Sequence, residues 1–549
     1  MKKFILLFLY FLSFQTFLGQ ELHLKIKSDK ESEAKTIDSI GYIKKHKNAK
    51  LITDEAKLLE QKLLRFGFLN QSPPEIKKVN DTLFETKFNL GKQHKFIHIY
   101  IGDNFELLGS TKPIEIKPIQ EVENFMNSTL AILEKKGYSL SKIQLINFRE
   151  ENNELHADLN TNVEIKRTLD DIIINGYEKF PEGHIKNIKR IYKNKTLNQI
   201  TLKSLSSDFD KIRFVKQIKA PEILFTKDST KVYVYLEKTK PNTFDGYIGF
   251  TNIEKKITLN GYLDLKLQNI LNGGEKFNIY WKSDGKNQKT FDASLEIPYV
   301  LKSSLGIKAQ LNIFKQDSIF QNAKTAIDLG YYFNYNSKVY LGYQSTESSD
   351  IQNTNNSSLS DFSNSFITTH FDYTNIDNEN FLFPEKTIIY FKVGLGRRDS
   401  NLAPEKQFFG NLNLSHNFYL NKKNSINIRS HNFYLRSNNY IINELYRFGG
   451  INSIRGFNEN SLQGNIFTSL LSEYRYSFND GLYLHSIIDY GYYQDKTSNT
   501  TNNLIGLGFG FGLSTKNGQL NLAYANGSTK EQAIKLSNSI VHISFNTRF

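Results

Sequence analysis

The sequence predicts two architectures in one chain: α+β repeats of order β-α-α-β-β, then an antiparallel transmembrane β-barrel of sixteen strands. Three observations predict this. A unit recurs about every 70 to 76 residues through the first 240, a period typical of arrayed modules. From Phe244 onward, strands of about ten residues alternate in polarity between turns rich in Asn, Ser, Asp, Gly and Lys, the pattern of membrane-spanning strands. Beyond the N-terminal segment, no apolar stretch approaches the roughly 20 residues a spanning helix needs.

The chain opens with Met1-Lys2-Lys3, an apolar run from Phe4 to Phe14, and Gly19-Gln20. A basic start, an apolar core too short to span a bilayer and a polar sequel read as a signal peptide over residues 1–19. Phe17 stands where a small residue is usual, which leaves the mature start open. The absence of cysteine from 549 residues excludes a disulfide framework, a thiolate metal site and a lipid-modified cysteine. A net charge of +14 comes from scattered lysines, which fits a solvated surface near anionic headgroups and not a nucleic-acid interface. Mean hydropathy of −0.46 suits a soluble protein, but a strand that alternates lipid-facing and lumen-facing residues has unremarkable hydropathy too.

The repeats occupy residues 20–92, 93–166 and 167–239. Each opens on a strand: LHLKIKS, KFIHIYIG and LDDIIINGY. Each then carries a helix ending on an aromatic residue: Glu55 to Phe68, Val122 to Tyr138, and Leu202 to Phe214. Two strands close each unit, for example EILFTKD and KVYVYLEK in the third. Pro181 is placed to open an additional helix in the third unit, since proline suits the first helical turn.

Residues 240–549 form the barrel. Segments such as ITLNGYLDLKL, KTAIDLGYYF and TIIYFKVGLG bring the strand count to about sixteen, and an even number suits a closed outer-membrane barrel. Tyr and Phe fall near strand ends, as interfacial girdles require. Gly506, Gly508, Gly510 and Gly512 alternate with Leu507, Phe509, Phe511 and Leu513. No helix follows them to make a nucleotide loop, so they give one strand a side-chain-free inner face with room for an inward fold.

The segment from Tyr446 to Leu462, YRFGGINSIRGFNENSL, supplies such a fold. Gly449, Gly450 and Gly456 permit sharp turns beside Ile454, Arg455 and Phe457. In the next two strands, Leu470, Tyr474, Leu484, Ile488 and Tyr490 take the lipid-facing phase, which turns Glu473 and Asp489 toward the lumen. Arg455 then either bridges both carboxylates through its planar fork or extends into external solvent while they line a wet pore.

The repeat units resemble POTRA domains, the periplasmic modules that precede certain outer-membrane barrels. The segment GGINSIRGF is similar to the [V/I]-R-G-[F/Y] loop of the BamA/TamA superfamily of outer-membrane β-barrel assembly proteins. It is followed in the expected order by SEYRY, IIDYGYY, the glycine strand, GQLNLAYANG and a last strand VHISFNTRF ending in Phe549. The resemblance implies that Arg455 contacts Glu473 and Asp489, and that the barrel lies in the outer membrane with its N-terminal domains in the periplasm.

The same resemblance implies a factor that assembles or translocates other proteins, not an enzyme, and one without a cofactor. No Gly-x-Ser-x-Gly, His-Glu-x-x-His or phosphate-binding loop stands out, and His485 and His542 are placed as lumen residues and not metal ligands. Expected partners are unfolded outer-membrane or secreted polypeptides, outer-membrane lipid and periplasmic accessory proteins. A client would add to a POTRA strand edge and be templated where the first strand (Phe244–Phe250, with Gly246 and Gly249) meets the last (Val541–Phe549, with Phe545 and Phe549). Two other functions stay open. One is a two-partner secretion transporter, although such proteins usually carry two POTRA domains and a plug helix. The other is a passive diffusion channel with docking modules.

Overall fold

The computed structural model describes residues 21–548 except 70–74, 104, 153, 254–255, 285–287, 354–357, 378–379, 381, 401–403, 516–517, 536 and 538. The expected signal segment and Phe549 therefore lie outside the described residues. The chain divides into two compact units, residues 1–168 with 196–200 and residues 169–195 with 201–549.

The first unit holds two modules. In the first, β1 (Leu22–Lys27), α1 (Glu31–Ile40), β2 (Lys45–His46), α2 (Ala49–Arg65), β3 (Ile76–Lys78) and β4 (Leu83–Lys87) build a sheet of order β2-β1-β4-β3. Asn48 caps α2 by accepting the Leu51 amide. The spacing of Ile52, Ala56, Leu59 and Leu63 puts all four on one buried face of that helix.

The second module comprises β5 (Phe96–Tyr100), β6 (Ile114–Pro118), α3 (Val122–Lys135), β7 (Lys142–Glu151) and β8 (Glu154–Asn162). Here the β-α-α-β-β order fails. A strand replaces the first helix, and β6 pairs antiparallel with β5. The cause is local: Gly102, Gly109 and Pro113 interrupt any helical run, and Ile114-Glu-Ile-Lys alternates with period two.

The second unit opens with the third module: β9 (Asp171–Asn175), α4 (Glu182–Tyr192), α5 (Gln199–Asp210), β10 (Val215–Phe225) and β11 (Thr230–Lys238). Its sheet runs β10-β11-β9, with β11 parallel to β9. Pro181 immediately precedes α4.

The barrel follows. Its first strands are β12 (Thr243–Ile253), β13 (Lys256–Gln268), β14 (Lys276–Ser283), β15 (Gln288–Ile297), β16 (Leu305–Gln316) and β17 (Phe320–Asn334). They continue with β18 (Ser337–Asp350), β19 (Phe362–Ile376), β20 (Glu385–Ser400), β21 (Glu405–Tyr419) and β22 (Asn424–Arg436). A short hairpin, β23 (Tyr446–Phe448) with β24 (Leu462–Gly464), stands apart from the wall. The wall resumes with β25 (Ile466–Ser477), β26 (Leu482–Asp495), β27 (Thr500–Thr515), β28 (Gly518–Ser528) and β29 (Ile540–Arg548), closing sixteen antiparallel strands.

Alternation sorts the side chains. In β17, Ile327, Leu329 and Phe333 are exposed on the outside, whereas Ala326, Asp328 and Tyr332 are buried inside. Closure is uneven. Among the described residues, β12 and β29 meet only at Thr243↔Arg548 and Phe244↔Thr547, whereas β12 pairs with β13 continuously from Thr243 to Ile253.

The third module docks on the rim where β12 begins. Asn187 Nδ2 donates to Ser303 O at 2.8 Å, and Arg190 Nη1 reaches the Tyr331 hydroxyl at 3.3 Å. His184 is buried in this joint among Phe180, Phe214, Tyr299 and Tyr335, and neither ring nitrogen has a hydrogen-bond partner. Burial first, and then the charges of Lys276 and Lys338, pull its pKa down from 6.5 to about 3. The docked joint thus refuses a proton that an undocked histidine accepts. Docking should keep full strength above pH 6.5 and weaken as pH falls toward 3, by up to about 1.4 kcal/mol per pH unit. Protease nicking between Lys193 and Leu202 should rise between pH 7.5 and 5.5, and His184→Gln should remove that dependence. Equal nicking rates in wild type at both pH values would contradict it.

Candidate functional site

Residues 437–465, between β22 and β25, fold into the barrel instead of leaving it. The reason is apolar. Phe448, Ile454, Phe467, Leu471, Tyr493 and Leu504 form one buried cluster, which joins loop residues to the inner wall. The Phe448 and Phe467 rings stack at 4.0 Å between centroids, and Phe433 and Tyr446 stack at 4.6 Å. Each buried aromatic contributes on the order of 2 kcal/mol, enough to offset the ordering of several loop residues.

Arg455 lies at the tip of the fold, 2% exposed. Its Nε and Nη2 donate to the two Asp489 oxygens at 2.8 and 2.5 Å. Its backbone amide donates to Asp489 Oδ2 at 3.0 Å, and Nη1 donates to Glu473 Oε1. Every polar hydrogen-bearing nitrogen of the residue is engaged. Asp489 stands opposite Leu471 in the β25–β26 register, whereas the ladder skips Glu473 and Tyr474. There the Tyr474 amide donates instead to Ser486 Oγ at 3.1 Å.

Glycine brings the backbone close enough for this bidentate grip. Gly456 has φ of 87°, and a Cβ there would collide with the β28 backbone at Asn526 and Gly527. A Cβ on Gly506 would collide with the Arg455 carbonyl. Of the four alternating glycines in β27, Gly506 alone faces the loop. Gly508 abuts the β28 backbone at Tyr524, Gly510 meets His485, and Gly512 meets Tyr483. Gly449 and Gly450 turn the chain ahead of the tip, where the Gly450 amide donates to the Ile454 carbonyl at 3.1 Å. Phe457 is half-buried against the same cluster.

The structure therefore gathers Gly449, Gly450, Ile454, Arg455, Gly456 and Phe457 with Glu473 and Asp489. Gly246, Gly249 and Phe545 lie elsewhere, in the two strands of the uneven closure. Gly246 pairs with Leu263, Gly249 with Asn260 and Phe545 with Leu520, and none of the three pairs across it.

Sequence reasoning missed much of the surrounding charge. Glu473 also receives Arg429 Nη2 at 3.1 Å and Arg475 Nε at 2.8 Å, so three guanidinium groups converge on it. A second fully buried pair, Arg398 with Glu444, ties the start of the loop to β20. Glu459 reaches Lys282 on β14. Arg429 could have been found by the signal that placed Glu473 and Asp489, a charged residue at a lumen-phase strand position. Together these contacts tie the inward loop to β14, β20 and β25 across the lumen. Among the described residues, no group of three or more metal-ligating side chains comes together.

No protein-family model matches the sequence, and no curated protein matches it. Solved structures do. CdiB from Acinetobacter baumannii and CdiB from Escherichia coli each share 13% identity at a TM-score of 0.52, over 91% of this chain and 98% of theirs. BamA from Haemophilus ducreyi lacking POTRA domains 1–3 shares 14% identity at a TM-score of 0.49, over 82% of this chain and 97% of that one. The likeness to the two CdiB structures runs through modules and barrel alike, and at such identity it speaks to the fold.

Proposed function

We propose that the chain is an outer-membrane β-barrel of the BamA/TamA/CdiB kind, exported by residues 1–19, whose periplasmic modules receive unfolded polypeptide and whose barrel inserts it at a seam. One observation carries the reading: among the described residues β12 and β29 share two register pairs, whereas every other pair of neighbouring wall strands shares at least eight. An unpaired strand edge cannot rest in hydrocarbon, because each unsatisfied backbone group costs several kcal/mol. A seam held by two register pairs opens at low cost and offers that edge to a client strand. The loop-filled lumen counts against a passive channel. A second reading, export of polypeptide through the lumen, is favoured by the weak satisfaction of the loop's start described below.

The seam reading is tested by locking it. Phe244→Cys with Thr547→Cys places two thiols at a register pair of an otherwise cysteine-free chain. Oxidation should reduce client insertion at least tenfold, and reduction should restore it. Full insertion by the oxidised protein would leave export through the lumen as the better account.

A further inference from the structure

The inward loop is held at two places of unequal quality. At its tip every Arg455 nitrogen donates a hydrogen bond. At its base the chain is pinned to β17, β18, β20 and β21. Arg398 contacts Glu444 and donates to the Asn439 carbonyl at 3.2 Å, and Gln407 Nε2 donates to Glu444 Oε2 at 2.8 Å. Asn443 Nδ2 donates to Ser348 Oγ at 2.7 Å, and its carbonyl accepts from Asn322 Nδ2 at 2.6 Å.

Yet Arg398 Nε and Nη2, Gln407 Oε1 and Asn443 Oδ1 are buried without a hydrogen-bond partner. Arg398 and Glu444 are themselves at most 1% exposed in their side chains. A buried guanidinium with two of its three nitrogens unpaired is poorly compensated, and contact with water would relieve it. Water is close by. A polar cavity of about 670 Å³, lined in part by Asn438, Asn439 and Tyr440 of the base and by Gln494 and Lys496, adjoins the same segment.

We propose that the loop is a hinged plug, with the Arg455 tip as its fixed pivot and the 437–445 segment as its releasable latch. Arg398, Glu444 and Asn443 are the positioning residues of that latch. The lumen opens at the rim opposite the docked third module when the base parts from β17–β21, while the tip stays seated on β25–β28. Opening exchanges four unpaired buried polar atoms for hydrated ones, whereas lifting the tip would strand Asp489. The inference deepens the reading of this chain as a membrane barrel that handles polypeptide, since it names the part that moves.

The chain contains no cysteine, so paired thiols test the hinge cleanly. Ser348→Cys with Asn443→Cys tethers the latch by a disulfide, and Lys282→Cys with Glu459→Cys, which replace two long side chains in contact at their ends, tethers the flank of the tip through a reducible bis-thiol cross-linker. Full-length protein is reconstituted in planar bilayers, with heat-modifiable gel mobility confirming a folded barrel. The oxidised latch pair should lose opening events at least tenfold and regain them on reduction, whereas events persist with the cross-linked tip pair. Glu444→Gln should raise open probability severalfold. Openings that ignore the latch tether, openings abolished by the tip tether, or a wild-type barrel that never opens would each overturn the hinge. Conductance needs no client, so failure of client insertion with intact latch-dependent opening would count against the seam reading alone.

Discussion

Arg455→Ala should lower barrel stability by about 3–5 kcal/mol, the cost of leaving one partner of a buried ion pair uncompensated. The two carboxylates do not suffer equally. Glu473 keeps Arg429 and Arg475. Asp489, 1% exposed, loses both side-chain donors and keeps the residue-455 amide alone. Adding Asp489→Asn to Arg455→Ala should therefore recover a substantial part of the loss, whereas adding Glu473→Gln should not, because it strands two further arginines. Arg455→Lys should recover little, since an ammonium cannot grip Asp489 with two parallel bonds and also reach Glu473. The temperature at which the folded band disappears from heat-modifiable gels reads all five proteins. An Arg455→Ala barrel that melts with wild type would remove the tip ion pair from the account.

Gly506→Val should be nearly as damaging without touching a charge. The atoms in the way of a new Cβ are the Arg455 carbonyl and its carbon, with the Asp489 Cβ close behind. Backbone cannot yield as a flexible side chain can, so the tip must lift from the wall. The expected outcome is a barrel that still forms, because β26–β27 and β27–β28 pairing is unaffected by an inward side chain at that position, but whose tip becomes solvent-accessible. Ile454→Cys, buried in the parent, should then react with a bulky maleimide in the Gly506→Val background. Gly410→Val is the control, since a Cβ there meets nothing within 4 Å.

Much of this architecture is written in period. Strict alternation along β25 and β26 decides which side chains face inward, and Glu473 and Asp489 share that phase with Leu471 and Gly491. What alternation cannot supply is the partner of an inward group, because that depends on how a loop crosses the lumen. Arg398 shows the limit: it adjoins Arg397 in the sequence, yet the Arg397 side chain is 64% exposed and the Arg398 side chain 0%. Two adjacent cations carry no phase of their own. Glu444 lies in irregular chain, where no period applies.

The apolar lumen cluster was hidden for a related reason. Leu470 and Leu471 are equally apolar, one facing outward and one packed under the loop, so hydrophobicity did not mark the second as core. In the second module the repeat period predicted a helix that local chemistry forbids, because glycines and a proline precede a segment alternating as a strand.

The most direct measurement is the reactivity of Ile454→Cys in the otherwise native, membrane-inserted, cysteine-free chain, with Asn499→Cys in the β26–β27 turn as the exposed control. The account predicts that a bulky maleimide added from outside labels position 499 within minutes and leaves position 454 unlabelled. Labelling at 454 as fast as at 499 would place the tip outside the barrel and contradict the account.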